Sequence, residues 1–198
     1  MHDFNSEYFF IRYDDDNLRL PFMTPDVNTA ERRYSSTVMP MSSAPLIFTN
    51  GWREDFKRDR IKEEIADVLF DASSFIVRDP IRMALLSLNL PGIWLHPAIY
   101  IDDAANWHED FWYVGFHGFF DCWDRSKSRF NPTARGSVDD PRHRVYAYSL
   151  NNELLAKTPL NERLLFRMGG TVDGLVVAHQ SVAKLLRSGA RIQPVNDK

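Results

Sequence analysis

Phe75-Ile76-Val77-Arg78-Asp79-Pro80-Ile81-Arg82-Met83-Ala84-Leu85-Leu86 decides the fold, because a similar stretch returns a hundred residues later. The return reads Leu175-Val176-Val177-Ala178-His179-Gln180-Ser181-Val182-Ala183-Lys184-Leu185-Leu186. Val77 meets Val177, Leu85 meets Leu185, and Leu86 meets Leu186. Each copy then turns into a short apolar run that ends in proline, Gly92-Ile93-Trp94-Leu95-His96-Pro97 and Ala190-Arg191-Ile192-Gln193-Pro194. A strand–helix–strand unit has one apolar face and needs a partner to cover it. The repeat therefore predicts two units, near 75–97 and 175–194, packed close together in one sheet system about an approximate twofold.

Each repeat carries its own helix signals. Asp79 suits a cap and Pro80 the first helical position. Ile81, Leu85 and Leu88 fall on one face, and Leu90-Pro91-Gly92 stops the helix. In the second copy Val182, Leu185 and Leu186 form the stripe, and Gly189 terminates it. Before the first copy, Glu7–Tyr13 reads as a strand and Asp14-Asp15-Asp16-Asn17 as its turn. Residues 21–45, rich in Pro and Ser, read as an arm, and Trp52–Glu64 as an exposed helix with charge pairs on one face. Between the copies, strands are expected at Ile93–Ile101, Phe111–Phe120, Arg144–Leu150 and Arg163–Met168, with a loop from Ser126 to Arg142. Gly169-Gly170 reads as a turn between strands. The sum is a single α+β domain over 1–198 with a mainly antiparallel, mixed sheet. Residues 1–50 supply a strand and the arm, and 51–198 the main body.

Composition narrows the function. With 44% hydrophobic and 26% charged residues the chain can build a packed core. A net charge of -3 argues against a general nucleic-acid binder, which needs a basic face. Cys122 is the sole cysteine and has no disulfide partner in the chain. No apolar run reaches the ~20 residues of a membrane span, and the polar start Met1–Glu7 lacks the pattern of a secretory signal. A soluble cytoplasmic protein is expected.

Charge is segregated in the middle of the chain. From Ala98 to Asp124 there are six carboxylates and no Lys or Arg: Asp102, Asp103, Glu109, Asp110, Asp121 and Asp124. The next stretch carries Arg125, Lys127, Arg129, Arg135, Arg142 and Arg144 against Asp139 and Asp140. These read either as two solvated loops or as a polar surface whose sign selects a partner. Trp107 stands among the acidic residues on what reads as a loop. It either anchors an interface or folds back onto the domain.

The chemistry candidates are few. His117, Asp121, Cys122 and Asp124 carry ligand atoms, but strand alternation would send His117 and Asp121 to one side and Cys122 and Asp124 to the other. Acidic neighbours oppose a Cys122 thiolate. Ser126 and Ser128 lack a nucleophile elbow, and Gly169-Gly170 lacks a phosphate-binding pattern. The scattered histidines form no metal-protease motif.

Three ordered segments resemble a group of bacterial immunity proteins associated with polymorphic toxins, the family numbered eleven among such immunity families. They are Ala66–Phe70 leading into Phe75–Val77 and the helix to Leu88; Trp112–Val114 through Phe120-Asp121-Cys122-Trp123-Asp124-Arg125-Ser126-Lys127-Ser128; and Leu164–Arg167 followed by Val176–Val177, the helix to Leu186 and Ile192–Pro194. Together they cover roughly residues 60–198. The chain departs from the pattern in its Pro/Ser-rich arm and in the Arg-rich insert after Ser128. The resemblance implies a non-catalytic cytoplasmic protein that binds and neutralises a cognate toxin effector, without catalytic residues, metal or cofactor. Charge and aromatic placement point to Asp102, Asp103, Trp107, Glu109 and Asp110 as the partner-facing group. Arg125–Arg144 is the alternative face for an acidic toxin. The competing reading is a small enzyme built on His117 with Asp121 or Asp124, with or without a metal.

Overall fold

The computed structural model describes residues 2–72, 74–137 and 141–196. Strands are β1 (Tyr8–Tyr13), β2 (Met23–Pro25), β3 (Leu46–Asn50), β4 (Val68–Asp71), β5 (Ser74–Arg78), β6 (Ile93–Ile101), β7 (Trp107–Phe116), β8 (Arg129–Phe130), β9 (Arg135–Gly136), β10 (Pro141–Arg142), β11 (Val145–Ala147), β12 (Leu165–Arg167), β13 (Val176–His179) and β14 (Ala190–Pro194). Helices are α1 (Val27–Ala30), α2 (Arg53–Asp59), α3 (Asp79–Ser87), α4 (Asn152–Lys157), α5 (Leu160–Arg163) and α6 (Gln180–Ala183), the last continued by a 3₁₀ turn, Lys184–Leu186.

Two sheets organise the α+β domain. The larger has the order β2-β3-β6-β7-β5-β4 and the smaller β12-β13-β1-β14. All neighbours are antiparallel except β3 and β6, which run parallel. Because β5 and β6 both run against β7, they are parallel to each other and need a crossover, which α3 supplies. The same holds for β13 and β14 on either side of β1, joined through α6. Both repeats are thus the expected strand–helix–strand unit.

The units lie in different sheets, which corrects the expectation of one sheet system. They meet instead in a common core. Phe75, Val77, Ile81 and Leu85 from the first unit share one apolar cluster with Val176, Ala178, Val182 and Leu186 from the second. Each unit also straddles a central strand and continues into an outer one, giving β4-β5-β7-β6 and β12-β13-β1-β14. The central strand follows its unit in the first motif (β7) and precedes it in the second (β1).

The structural register of the first strand and helix is 101 residues rather than 100. Phe75 pairs with Val114 as Val176 pairs with Ile11, and Val77 with Trp112 as Ala178 with Phe9. Leu85 and Leu186 are the equivalent fully buried helix leucines, whereas Leu86 is 50% exposed. A one-residue slip in a strand exchanges its faces, so Val77 points into the shared core while Val177 points to the far side of its sheet. Pro97 and Pro194 do correspond, facing Trp112 and Phe9. Pro97 does not end its strand: β6 runs on to Ile101.

The outer faces are covered by the irregular segments. Leu20 and the half-buried Tyr34 pack with Phe48, Trp94 and Tyr113 on the other face of the larger sheet, which curls so that its two edges meet at a Phe22–Phe70 bridge and enclose this cluster. His96 Nε2 holds the Ala44 carbonyl of the arm at 2.9 Å. Trp94 lies flat because position 115 is glycine: a Cβ there would stand 2.0 Å from the Trp94 ring. Cys122, Trp123, Val145, Leu150 and Leu155 cover the smaller sheet over Phe10, Phe166 and Val177.

Several local expectations change. The arm contains β2 and α1 and leads into β3. The charged helix stops at Asp59, where Arg60 takes a left-handed backbone (φ 56°). Arg78, not Asp79, is the N-cap of α3, with Asp79 instead pairing Arg82 at 3.1 Å. β7 begins at Trp107 and ends at Phe116, so His117–Phe119 lie beyond the strand. The strands expected at Arg144–Leu150 and Arg163–Met168 shorten to β11 and β12, and the loop Ser126–Arg142 carries the short β8, β9 and β10. Asp139 and Asp140 lie outside the described residues.

Candidate functional site

The acidic turn between β6 and β7 is tightly built. Asp102 accepts from the Asn106 backbone at 2.8 Å, the Asn106 amide at 2.9 Å and His108 Nε2 at 3.0 Å. Partial burial opposes ionisation there, but the hydrogen bonds from Asn106 and His108 prevail and hold the carboxyl below its usual range. Asp103 accepts from Asn50 at 3.1 Å and lies 3.7 Å from Arg53. Its backbone N–H donates to Glu63 at 2.7 Å. Glu63 also accepts from the Tyr100 hydroxyl, and burial pushes its own carboxyl up. Asp110 is gripped by Arg78 at 2.6 Å. Asp102 and Asp103 therefore shape the turn, and Asp110 is partly neutralised. The guanidinium partners, Arg53 and Arg78, come from distant sequence, so the local charge run overstated the acidity.

Trp107 and Glu109 differ from these three. Trp107 is 57% exposed. It stands on paired strand rather than on a loop, directly opposite Ile101. Opposed residues of an antiparallel pair point to the same face, so Trp107 shares the face of Ile101. Between Ala98/Phe111 and Tyr100/His108 the register shifts, because β7 carries one residue more than β6. Glu109 and Asp110 form this bulge opposite Ile99, and Glu109 is exposed. Past Arg78, β5 gives way to α3, so this end of β7 pairs only with β6.

The face that Trp107 shares is apolar and half open. Along β6 the even positions are buried, while Ile93, Leu95, Pro97, Ile99 and Ile101 are each partly exposed. Ile47 and Ile99 are register partners on that face, and with Ile101 they belong to none of the three cores. The cause is topological. Six strands form the larger sheet and four the smaller, and α3 packs chiefly on β5 and β7, reaching only the Ile93–Leu95 end of β6. At the boundary, α3 and the sheet leave a groove of about 330 Å³ lined by Arg82, Leu86, Leu95 and Trp112. The Arg82 guanidinium stacks 3.8 Å above Trp112. Sequence reasoning missed this face, although Ile93, Leu95, Ile99 and Ile101 recurring at every second position but one was its signal.

The enzyme candidates do not assemble. His117 is exposed and its ring bonds to neither carboxylate among the described residues. Asp121 pairs with Arg125, which also stacks 3.9 Å over Trp123. Asp124 accepts from the Ser126 hydroxyl at 2.6 Å and the Ser126 backbone at 2.9 Å and lies 3.4 Å from Lys127, contacts that hold it below the usual carboxylate range. Burial pushes the Cys122 thiol up, away from thiolate. Among the described residues, Asp14, Asp15 and Asp16 bring three carboxylates together, but Arg191 pairs with the last two at 2.8 and 3.4 Å. In the alternative basic face, Arg129, Arg135 and Arg144 are exposed, while Arg125 and Lys127 are engaged by Asp121 and Asp124. No helix is long and apolar enough to cross a membrane among the described residues.

No protein-family model matches the chain, and no curated protein matches it in sequence.

Proposed function

We propose that the protein is an immunity protein that neutralises a cognate bacterial toxin effector by direct contact, through the β6–β7 end carrying Trp107 and Glu109. The observation that carries the reading is Trp107: a large aromatic, 57% exposed, fixed on paired strand and continuous with an apolar face. An anchor held this way loses little conformational freedom on binding. The turn beside it carries more acid than base, which favours encounter with a basic partner. The three ordered motifs that resemble the immunity family support the same reading. Asp102 and Asp103 are taken up by the contacts that shape the turn, which supports Trp107 and Glu109 as the proposed toxin-facing residues.

Co-expression with the toxin encoded beside this gene tests the proposal. Restored growth and a complex on gel filtration are expected. Absence of both contradicts it.

A further inference from the structure

We infer that Arg167 anchors a site for one small oxoanion, a carboxylate or a phosphate, entered beside Phe119 and Gly174 and independent of the toxin-binding reading. Arg167 closes β12 and is only 6% exposed. A buried guanidinium is costly unless a counter-charge meets it. Arg78, Arg82, Arg125 and Arg191 each have a carboxylate. Arg167 pairs with none among the described residues, and Asp173, next to its Gly174 contact, is exposed. Burial lowers the pKa of Arg167. A guanidinium nevertheless stays protonated, so its charge stands in the fold without a counter-charge.

The hydrogen bonds of Arg167 leave one nitrogen open. Nε donates to the Gly174 carbonyl at 2.9 Å, and Nη1 donates to the Ser36 hydroxyl. Nη2 donates to nothing among the described residues. It is not sealed either, since the sealed side-chain atoms without a partner are Asp103 Oδ1 and Tyr148 Oη. Ser36 Oγ accepts from Nη1 and gives its own proton to no acceptor among the described residues, so a second donor stands beside the first. Gly174 and Phe119 border the opening. A Cβ at Gly174, where φ is +51°, would stand 3.3 Å from Nη2 and 3.2 Å from the Phe119 ring. That ring is 49% exposed and lies 5.5 Å from the Arg167 guanidinium, and Arg142 comes to 5.8 Å from the same ring. Two arginines beside one opening favour an anion over a cation. So narrow an opening admits a single charged group, and guanidinium and hydroxyl donors suit an oxygen acceptor. Ser36 belongs to the arm, and its carbonyl accepts from the Phe116 N–H at 2.7 Å. A bound anion therefore ties the arm to β12 where it already meets the end of β7.

The test uses the full chain with sodium phosphate and with sodium acetate, each against sodium chloride at matched ionic strength. Nuclear magnetic resonance follows the Arg167 Nε–H signal, and thermal unfolding follows stability. Phosphate or acetate is expected to shift the signal saturably and to raise Tm, while chloride does neither. A response to one anion and not the other assigns the site to phosphate or to carboxylate ligands; a response to both assigns it to oxoanions of either kind. Arg167→Gln should abolish the gain in Tm, and Ser36→Ala should raise Kd several-fold. Phe119→Ala, which removes only the ring at the opening, should keep the binding. Should Arg167→Gln fail to fold, the Nε–H signal and Ser36→Ala decide. The absence of a saturable shift with both anions overturns the inference and leaves Arg167 as a latch on the arm. So does binding indifferent to Ser36→Ala. A gain in Tm that survives Arg167→Gln, or that leaves the Nε–H signal unmoved, also overturns it, because the anion then sits elsewhere on the surface.

Discussion

Arg78 and His179 occupy the same place in the two four-stranded motifs. Each is the N-cap of its crossover helix, α3 or α6. Each faces an aromatic of the central strand, Phe111 for Arg78 and Tyr8 for His179. Arg78 lies 4.6 Å over the Phe111 ring, and His179 is 5.4 Å from that of Tyr8. Each then meets the carboxylate one residue earlier, Asp110 at 2.6 Å and Glu7 at 3.3 Å. The duplication therefore reaches side-chain contacts that sequence identity does not reveal. It also explains Asp110 as part of a helix-start contact rather than as a free surface charge.

The two N-caps differ in one testable respect, because Arg stays charged and His titrates. Burial, first among the influences on His179, lowers its affinity for a proton; Arg163 acts the same way and Glu7 opposes them. Ser181 donates its backbone N–H to Nδ1 at 3.3 Å, a contact that needs the neutral ring. The folded-state pKa thus lies below the unfolded value of ~6.5. The unfolded chain binds the proton first, so this contribution is complete above about pH 6.5 and is lost as pH falls through the folded pKa. Denaturant melts at pH 8, 6 and 5 should show stability falling on acidification, less steeply in His179→Gln.

Leu85 and Leu186 provide a check on the register. Both are fully buried in the shared core. Leu85→Ala and Leu186→Ala should each cost ~2–5 kcal/mol by urea denaturation. Leu86→Ala, at an exposed position, should cost under about 1 kcal/mol. A large loss at Leu86 with a small one at Leu85 would restore the 100-residue alignment.

Two glycines are fixed by close approach. A Cβ at Gly115 would meet the Trp94 ring at 2.0 Å, and one at Gly189, where φ is +93°, would meet the Val68 carbonyl at 2.1 Å. Gly115→Ala and Gly189→Ala should each destabilise by ~1–3 kcal/mol or more. Gly92→Ala, with open space around it, is the control. Thermal unfolding of the three variants decides this.

The sequence made the repeat legible because apolar periodicity survives divergence. Val77 and Val177, both buried, looked equivalent, yet they face opposite sides of their sheets. Only pairing with β7 and β1 fixes that parity. The two-sheet arrangement was hidden for a related reason: β1 and β7 enter their motifs from opposite ends of the chain, and no local pattern records which strand a crossover straddles. At the candidate site, Trp107 was visible as an aromatic among carboxylates. Its strand was not, because acidic residues mask β propensity and the bulge at Glu109 and Asp110 breaks the alternation. Arg53 and Arg78 could not be read as the partners of Asp103 and Asp110 without the fold.

At the proposed partner surface, Trp107→Ala should weaken toxin binding by ~2 kcal/mol or more, as truncation of an anchor buried on binding does. Glu109→Gln should mainly slow association, and more so at low salt. Asp102→Asn should instead loosen the turn, lowering stability through its contacts with Asn106 and His108. Calorimetry and stopped-flow binding at two salt concentrations separate these effects.

Hydrogen exchange of the protein alone and mixed with the toxin encoded beside its gene, the proposed partner, tests the central claim most directly. Slowed exchange on binding should concentrate in residues 93–101 and 107–112. Protection confined to residues 126–144, with none along β6 and β7, would contradict the account and move the interface to the arginine-rich segment.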